Sequence, residues 1–242
     1  RDIPKLIIEN NLHGVDLDDR AIQLAQLGLY IKAKRKRATT KIAHFNIVSA
    51  DFFLPAYREV KAIFENNDLV GDRERKIIEE LWDDLQNAHK FGSLVRLEEK
   101  MSLRWFGTKQ KVADNVITLF DNENIEDYET FKTNFFTNLQ TAITEYTTDK
   151  GQNFLNTKTK DAITFLKLLT QKYDIATANP PYTNSSDFGK KLKTFINDNY
   201  KKPHGFHTNL YATFIKRCYE LIEDKGKMAL IHPLTFMYIK TF

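Results

Sequence analysis

A single cysteine, Cys218, among 242 residues leaves no partner for a disulfide within the chain and no thiolate pair for a zinc site. No apolar run approaches the roughly 18 residues of a membrane-crossing helix, and no secretory leader opens the sequence. A strong charge of one sign is missing too. Against 36 Lys and Arg stand 32 Asp and Glu, and the net +4 permits a polyanionic partner without requiring one. Glycine is sparse: none of the nine glycines forms a Gly-x-Gly. What remains, at 42% hydrophobic and 28% charged, is a globular composition with material for a sizeable core, and a cytosolic protein is the default.

The most committed stretch is Asp174-Ile-Ala-Thr-Ala-Asn-Pro-Pro-Tyr182. Asp174 to Ala178 is too short for a helix and is stopped by Asn179-Pro180-Pro181, so a buried strand is expected. Each proline fixes its own φ and keeps the preceding residue out of the helical region. The Asn179 amide oxygen and the Pro180 carbonyl are then two acceptors able to converge on an amino group, with the Tyr182 ring as a stacking plate. Fixed acceptors would stabilise the positive charge that grows on an adenine amino nitrogen as it attacks. Asn179-Pro180-Pro181-Tyr182 resembles the Asn-Pro-Pro-Tyr motif of the S-adenosylmethionine-dependent N6-adenine methyltransferases. The resemblance implies catalytic roles for Asn179, Pro180, Pro181 and Tyr182, with Asn179 also beside the cofactor. A loop with a chance Asn-Pro-Pro is the bland alternative.

Leu12 to Leu17 reads as a strand ending in an acid, and Asp18 as the N-cap of a helix with Ala21, Leu24, Ala25, Gly28, Leu29 and Lys32 at helical spacing. This resembles the second strand of the Rossmann-like methyltransferase fold, which implies that Asp16 takes the ribose hydroxyls and Leu17 lies against the cofactor's adenine. Asp16 capping a turn weighs equally. A second strand-like run, Ile42 to Val48, leads to Asp51-Phe52-Phe53. In the same family an acid and an aromatic at the third strand's end hold the adenine, which implies Asp51 on its amino group and Phe52 against its ring. The bland reading is an N-cap with core phenylalanines. The family's glycine-rich loop after the first strand is absent. The expectation is therefore a fragment of a longer protein, cut after that strand and its helix and inactive by itself, with poor cofactor binding or none.

Between the strands run amphipathic segments: Ile77, Ile78, Leu81, Trp82 and Leu85; Phe131, Phe135, Leu139, Ala142, Ile143 and Tyr146; Ile163, Leu166 and Leu169, punctuated by Gly71-Asp72 and Thr148 to Gly151. A structureless loop of that length is rare, so a helical subdomain is expected. Lys90-Phe-Gly-Ser-Leu-Val95 resembles the Gly-Ser-Leu stretch of large bacterial methyltransferases. Asn11-Leu-His-Gly-Val-Asp-Leu-Asp-Asp-Arg-Ala-Ile-Gln-Leu-Ala25 is similar to a strand of the BREX adenine-specific PglX family. Thr183 to Asn209 reads as a polar loop, mobile over the target or simply exposed. Leu210 to Ile222 reads as a helix closed by Asp224-Lys-Gly226, with a strand over Lys227 to His232 ended by Pro233. His232 is expected to be a turn histidine.

The expected fold is α/β, a partial Rossmann-like methyltransferase: core over 1–54 with the second and third strands, a helical insertion over 55–170, and core over 171–242. The resemblance implies transfer of a methyl from S-adenosylmethionine to the N6 amino group of an adenine flipped from double-stranded DNA. The setting is restriction-modification or phage defence, with other defence or restriction subunits as candidate partners and no membrane. No metal is required, since the donor is already activated. The alternatives are a protein-glutamine or RNA methyltransferase, or a catalytically silent DNA-binding or assembly module. The basic runs Lys32-Ala-Lys-Arg-Lys-Arg37, Lys190-Lys191-Leu192-Lys193 and Lys201-Lys202 are either solvated faces or phosphate contacts.

Overall fold

A computed structural model describes residues 1–52, 54–65, 71–106, 122–149 and 153–234. Phe53, Gly151, the end at 240–242 and the side chain of Tyr146 lie outside the described residues. The chain divides into two compact units, Arg1–Thr170 and Gln171–Phe242.

In the first unit α1 (Ile3–Asn10) starts at Asp2, whose carboxylate accepts the Lys5 amide at 3.2 Å. Strand β1 (His13–Asp16) follows, then α2 (Asp19–Lys36) and β2 (Asn46–Ser49). The two strands pair in parallel, His13 opposite Asn46 and Asp16 opposite Ser49. Asp18 caps α2 as expected, its carboxylate accepting the Arg20 amide at 2.9 Å. The buried face of α2 is rotated from the expected one: Ile22 and Ala33 are buried, whereas Leu24 is 69% exposed. The Gln26 amide donates to the Ile47 carbonyl at 2.8 Å and turns that face toward β2. β2 is also shorter than the run from Ile42; residues 42–45 carry no regular structure.

Helices α3 (Tyr57–Glu65), α4 (Asp72–Phe91), α5 (Leu97–Phe106), α6 (Asn122–Asp149) and α7 (Asn153–Leu169) lie between β2 and the next described strand. A 3-10 turn at Gly92–Leu94 joins α4 to α5. The described members of the three expected stripes are buried: Leu81, Leu85, Leu139 and Leu166 are fully so. Each such side chain contributes about 1.5–3 kcal/mol of burial free energy. Trp82 packs edge-on against Phe64 at 5.7 Å, and its indole N–H donates to the Pro55 carbonyl at 3.0 Å. These helices are continuous with the strands before them, α7 packing on β2.

The second unit holds β3 (Tyr173–Ala178), α8 (Lys190–Tyr200), α9 (Leu210–Leu221) and β4 (Ile222–Leu230), with β3 and β4 parallel. Three expectations are corrected here. β3 is not a buried strand: Ile175 is 67% exposed, because among the described residues of this unit the strand has one hydrogen-bonded neighbour and is packed by α9. Thr183 to Asn209 is not a polar loop. It contains α8, whose Ile196 and Tyr200 are buried, and Phe188 is buried just before it. The many Lys, Ser and Asn hide an amphipathic period of Leu192, Phe195, Ile196 and Tyr200. Finally, β4 begins at Ile222 rather than Lys227. Tyr173 pairs with Ile222 and Ile175 with Lys227, so the Asp224 to Gly226 turn sits inside the strand as a bulge. A side chain at Gly226 would lie 2.8 Å from Ile222 Cβ and 2.9 Å from the Glu223 carbonyl, so glycine is what lets that bulge close.

With two parallel strand pairs, each crossed over by helix, the chain is mixed α/β.

Candidate functional site

The parallel register of β1 and β2 brings two expected site residues to one sheet end. The Ala50 amide donates to the Asp16 carbonyl at 2.8 Å, which sets the strand ends level. Asp16 is exposed, and its Oδ1 accepts the Asp18 amide at 2.8 Å. The turn-capping reading therefore holds. Asp51 is exposed as well, its own amide donating to the Ser49 hydroxyl at 3.0 Å. Leu17, between Asp16 and the helix, is 63% exposed despite its apolar side chain.

Phe52 is placed differently from its neighbours. Its ring is 6% exposed and packs against Phe165 of α7, centroids 4.9 Å apart at an interplanar angle of 47°. The core-phenylalanine reading accounts for this packing.

In the second unit Asn179 to Tyr182 emerges from the carboxyl end of β3 without regular structure. It is pinned on both sides. The Ala178 carbonyl accepts the Ile231 amide at 3.2 Å, and the Thr183 carbonyl accepts the Leu210 amide at 3.1 Å. An antiparallel bridge between Asn184 and Asn209 extends the second anchor. Pro180 is buried, so it roots the corner, whereas Asn179 and Pro181 are exposed and Tyr182 is 55% exposed. Aromatic rings can stack on planar groups, and the Tyr182 ring is exposed enough to be reached by one. His232 lies beyond the end of β4, its ring roughly parallel to Tyr211 at 6.2 Å and its Nδ1 3.1 Å from the Pro233 carbonyl.

The basic runs divide by role. In Lys32 to Arg37, Lys34 donates to the Ala38 carbonyl at 3.0 Å and lies over the Tyr30 ring, and Arg37 donates to the Arg1 carbonyl at 3.0 Å. Cations there also suit the carboxyl end of α2. Lys190, Lys191 and Lys193 instead crowd the amino end of α8, where positive charge opposes the helix dipole, and all three are exposed. Helix stability does not explain them.

One neighbour of Leu17 was missed in the sequence. Gly92, with φ at +54°, lies against Leu17 and Ala50: a Cβ on it would sit 3.5 Å from Leu17 Cδ2 and 4.0 Å from Ala50 Cβ. The Gly-Ser-Leu resemblance flagged these residues but gave no hint of where they fold.

Over its whole length the chain is similar to the adenine-specific methyltransferase BrxX of Escherichia coli O9:H4 (strain HS), at 25% identity across 251 residues. It is likewise similar to the adenine-specific methyltransferase PglX of Lacticaseibacillus casei (strain Zhang), at 24% across 249 residues. It spans 19% and 18% of those two proteins, about a fifth of each. Residues 10–242 match the family described as Eco57I restriction-modification methylase, and with nearly all of its residues inside that match the chain belongs to this family.

Proposed function

We propose that this chain is the catalytic part of a site-specific DNA methyltransferase that moves a methyl group from S-adenosylmethionine to the N6 amino group of adenine. The observation that carries the reading is the Asn179-Pro180-Pro181-Tyr182 corner, anchored at a strand's carboxyl end with its amide and ring exposed, in a chain of a restriction-modification methylase family. In this reading 1–54 and 171–242 are both parts of a Rossmann-like methyltransferase core, and 55–170 is a helical insertion in the sequence between them. The protein works in the bacterial cytoplasm, in restriction-modification or phage defence, alongside other subunits of such a system.

The residues present fit the nucleoside end of the cofactor. Two exposed carboxylates, Asp16 and Asp51, stand at adjacent strand ends beside the exposed apolar Leu17. A ribose offers two hydroxyl donors, an adenine an amino donor and a flat face, which is the complementary set. Asp16 takes the hydroxyls through the oxygen that does not bond Asp18, Asp51 takes the amino group, and Leu17, with what little of Phe52 is exposed, covers the ring. The cofactor supplies an already activated methyl, so the protein's task is to hold and polarise the acceptor.

Asn179 Oδ1 and the Pro180 carbonyl accept the two N–H bonds of the target amine and favour the charge it develops. Tyr182 stacks on the flipped base and repays part of the unstacking cost of a few kcal/mol. Lys190, Lys191 and Lys193 face the phosphate backbone, which explains why they tolerate an unfavourable helix end.

The test is Asn179→Ala in the full-length protein. Turnover at saturating cofactor and DNA should fall by about 10²–10³-fold, the cost of one preorganised transition-state partner, with S-adenosylhomocysteine affinity changed far less. Wild-type turnover in that variant would end the assignment. Offering DNA, RNA and a glutamine-bearing peptide side by side settles the acceptor, and methylation of either of the latter two alone would replace adenine in this reading.

A further inference from the structure

A groove of about 650 Å³ runs between α1 and α2 in the first unit, with Ile3 and Ile7 of α1 and the following Leu12 on one wall and Leu29 of α2 on the other. Its apolar wall is open to water: Ile3 is 63% exposed, Ile7 44% and Leu12 37%. Single side chains of this kind are ordinary on a surface, but gathered along one groove and rimmed by charge they mark an interaction site. The rim carries one sign only. Its charged side chains are Arg1, Lys32, Lys36 and Arg37, with no acid among them. Arg37 is engaged within the unit, donating to the Arg1 carbonyl at 3.0 Å and to the Thr39 hydroxyl at 3.2 Å. Lys32 and Lys36 are exposed, make no hydrogen bond or ion pair among the described residues, and stand one helical turn apart on α2.

The complementary element has an apolar face and, beside it, carboxylates one turn apart, which describes an amphipathic helix laid into a groove. A second copy of this surface does not qualify, because a two-fold contact would set one basic rim against the other. An acyl chain would cover the walls but bring one anion to two lysines. Nucleic acid would meet the lysines and leave the walls wet. Material for such a helix exists in proteins of this kind, since the chain spans 19% and 18% of the two methyltransferases it resembles and about four-fifths of each lies beyond the matched part. We propose that the α1–α2 groove seats an acidic amphipathic helix of the same polypeptide, from outside residues 1–242, whose Asp or Glu side chains pair with Lys32 and Lys36. The contact ties the rest of the protein to the unit that carries Asp16 and Asp51. It stands whether or not those two acids hold a cofactor.

The test is a photo-cross-link in the purified full-length protein with p-benzoylphenylalanine in place of Ile7. Irradiation and peptide mapping should join position 7 to a segment outside 1–242 that has apolar residues at helical spacing and acids three or four residues apart. The yield should be independent of protein concentration, because the link lies within one polypeptide. Lys32→Glu combined with Lys36→Glu should lower that yield by about fivefold, the loss of two exposed ion pairs. Changing the two facing acids to lysine in that background should restore it. A link to residues 1–242, to a second copy or to nothing overturns the proposal, and so does a link to an outside segment whose yield the charge reversal leaves within about twofold. Should the variant at position 7 fail to fold, the same cross-linker at the more exposed Ile3 is read by the same outcomes.

Discussion

The Ala50 amide donates to the Asp16 carbonyl at 2.8 Å, so β1 and β2 end in step and the chain leaves both at the same level. Neighbouring parallel strands lie about 4.8 Å apart, which places the turns carrying Asp16 and Asp51 side by side. Both side chains are exposed, and exposed charged groups add little to a fold.

Removing either acid should therefore separate binding from stability. Asp51→Ala and Asp16→Ala are each expected to cost about 1.5–3 kcal/mol of S-adenosylhomocysteine affinity, ten- to a hundredfold, the range for hydrogen bonds to charged groups. Unfolding free energy should move by under about 0.5 kcal/mol for Asp51 and by up to about 1 kcal/mol for Asp16, which also caps the Asp18 amide. Calorimetry and urea titration on the same full-length preparations check both. Equal affinity in wild type and Asp51→Ala would remove that residue from the site.

Local signals in the sequence were read well where one answer was chemically forced. Asp18 is flanked by a strand and a helix because its carboxylate satisfies an otherwise open amide, and a Pro-Pro pair can only end a strand. The buried stripe of α4 was legible because Ile77, Ile78, Leu81, Trp82 and Leu85 share one face opposite charged residues. On α2 the same reasoning failed, since Ala21, Ile22, Leu24, Ala25, Leu27 and Leu29 offer apolar atoms on every side. A single long-range hydrogen bond from Gln26 decides between the faces. The place of Gly92 against Leu17 was not legible either, because 75 residues separate them in sequence and nothing local encodes the contact.

The bulge in β4 gives the next prediction. Gly226 lies within 2.9 Å of the Glu223 carbonyl and 3.1 Å of the Asp174 carbonyl, counted from a Cβ that it does not have. Gly226→Ala should destabilise by about 1–3 kcal/mol through overpacking against backbone that cannot retreat. The same register carries the Ile231 amide to the Ala178 carbonyl, one of the two anchors of the Asn179 corner. A loss of turnover beyond the loss of folded protein is therefore expected, measured as activity per folded molecule.

Arg217 on α9 is 1% exposed and stands 3.7 Å from Glu220, itself 8% exposed. Its guanidinium also acts on two buried neighbours. Burial pushes the Tyr173 hydroxyl up to about 12 and raises the Cys218 thiol, and Arg217 opposes both shifts. Arg217→Ala leaves a hole and an altered charge balance and should cost about 3–5 kcal/mol. Arg217→Met keeps much of the volume, and Lys216 still pairs Glu220 at 3.4 Å, so a clearly smaller loss is expected. Equal losses by denaturant titration would show that the charge, not the packing, is what the unit needs.

Glu98 sets a pH dependence in the first unit. Its Oε1 accepts from the Tyr128 hydroxyl at 3.0 Å and from Lys132 at 3.4 Å, while Oε2 is buried with no hydrogen-bond partner among the described residues. Burial raises the carboxyl above its ordinary value, outweighing the opposing pull of Lys132 and of the Tyr128 hydrogen bond. The protonated form is thus the one the fold favours. Its contribution is complete below the ordinary glutamate value and is lost as pH rises through the raised one. Glu98→Gln cannot titrate, so the variant should gain on the wild type as pH climbs from the acid side of that window to neutrality. Urea titrations of both proteins across the window read this difference. A wild type that instead gains on the variant over the same climb would mean that the Lys132 pairing outweighs burial, which reverses the sign assigned to this buried carboxyl.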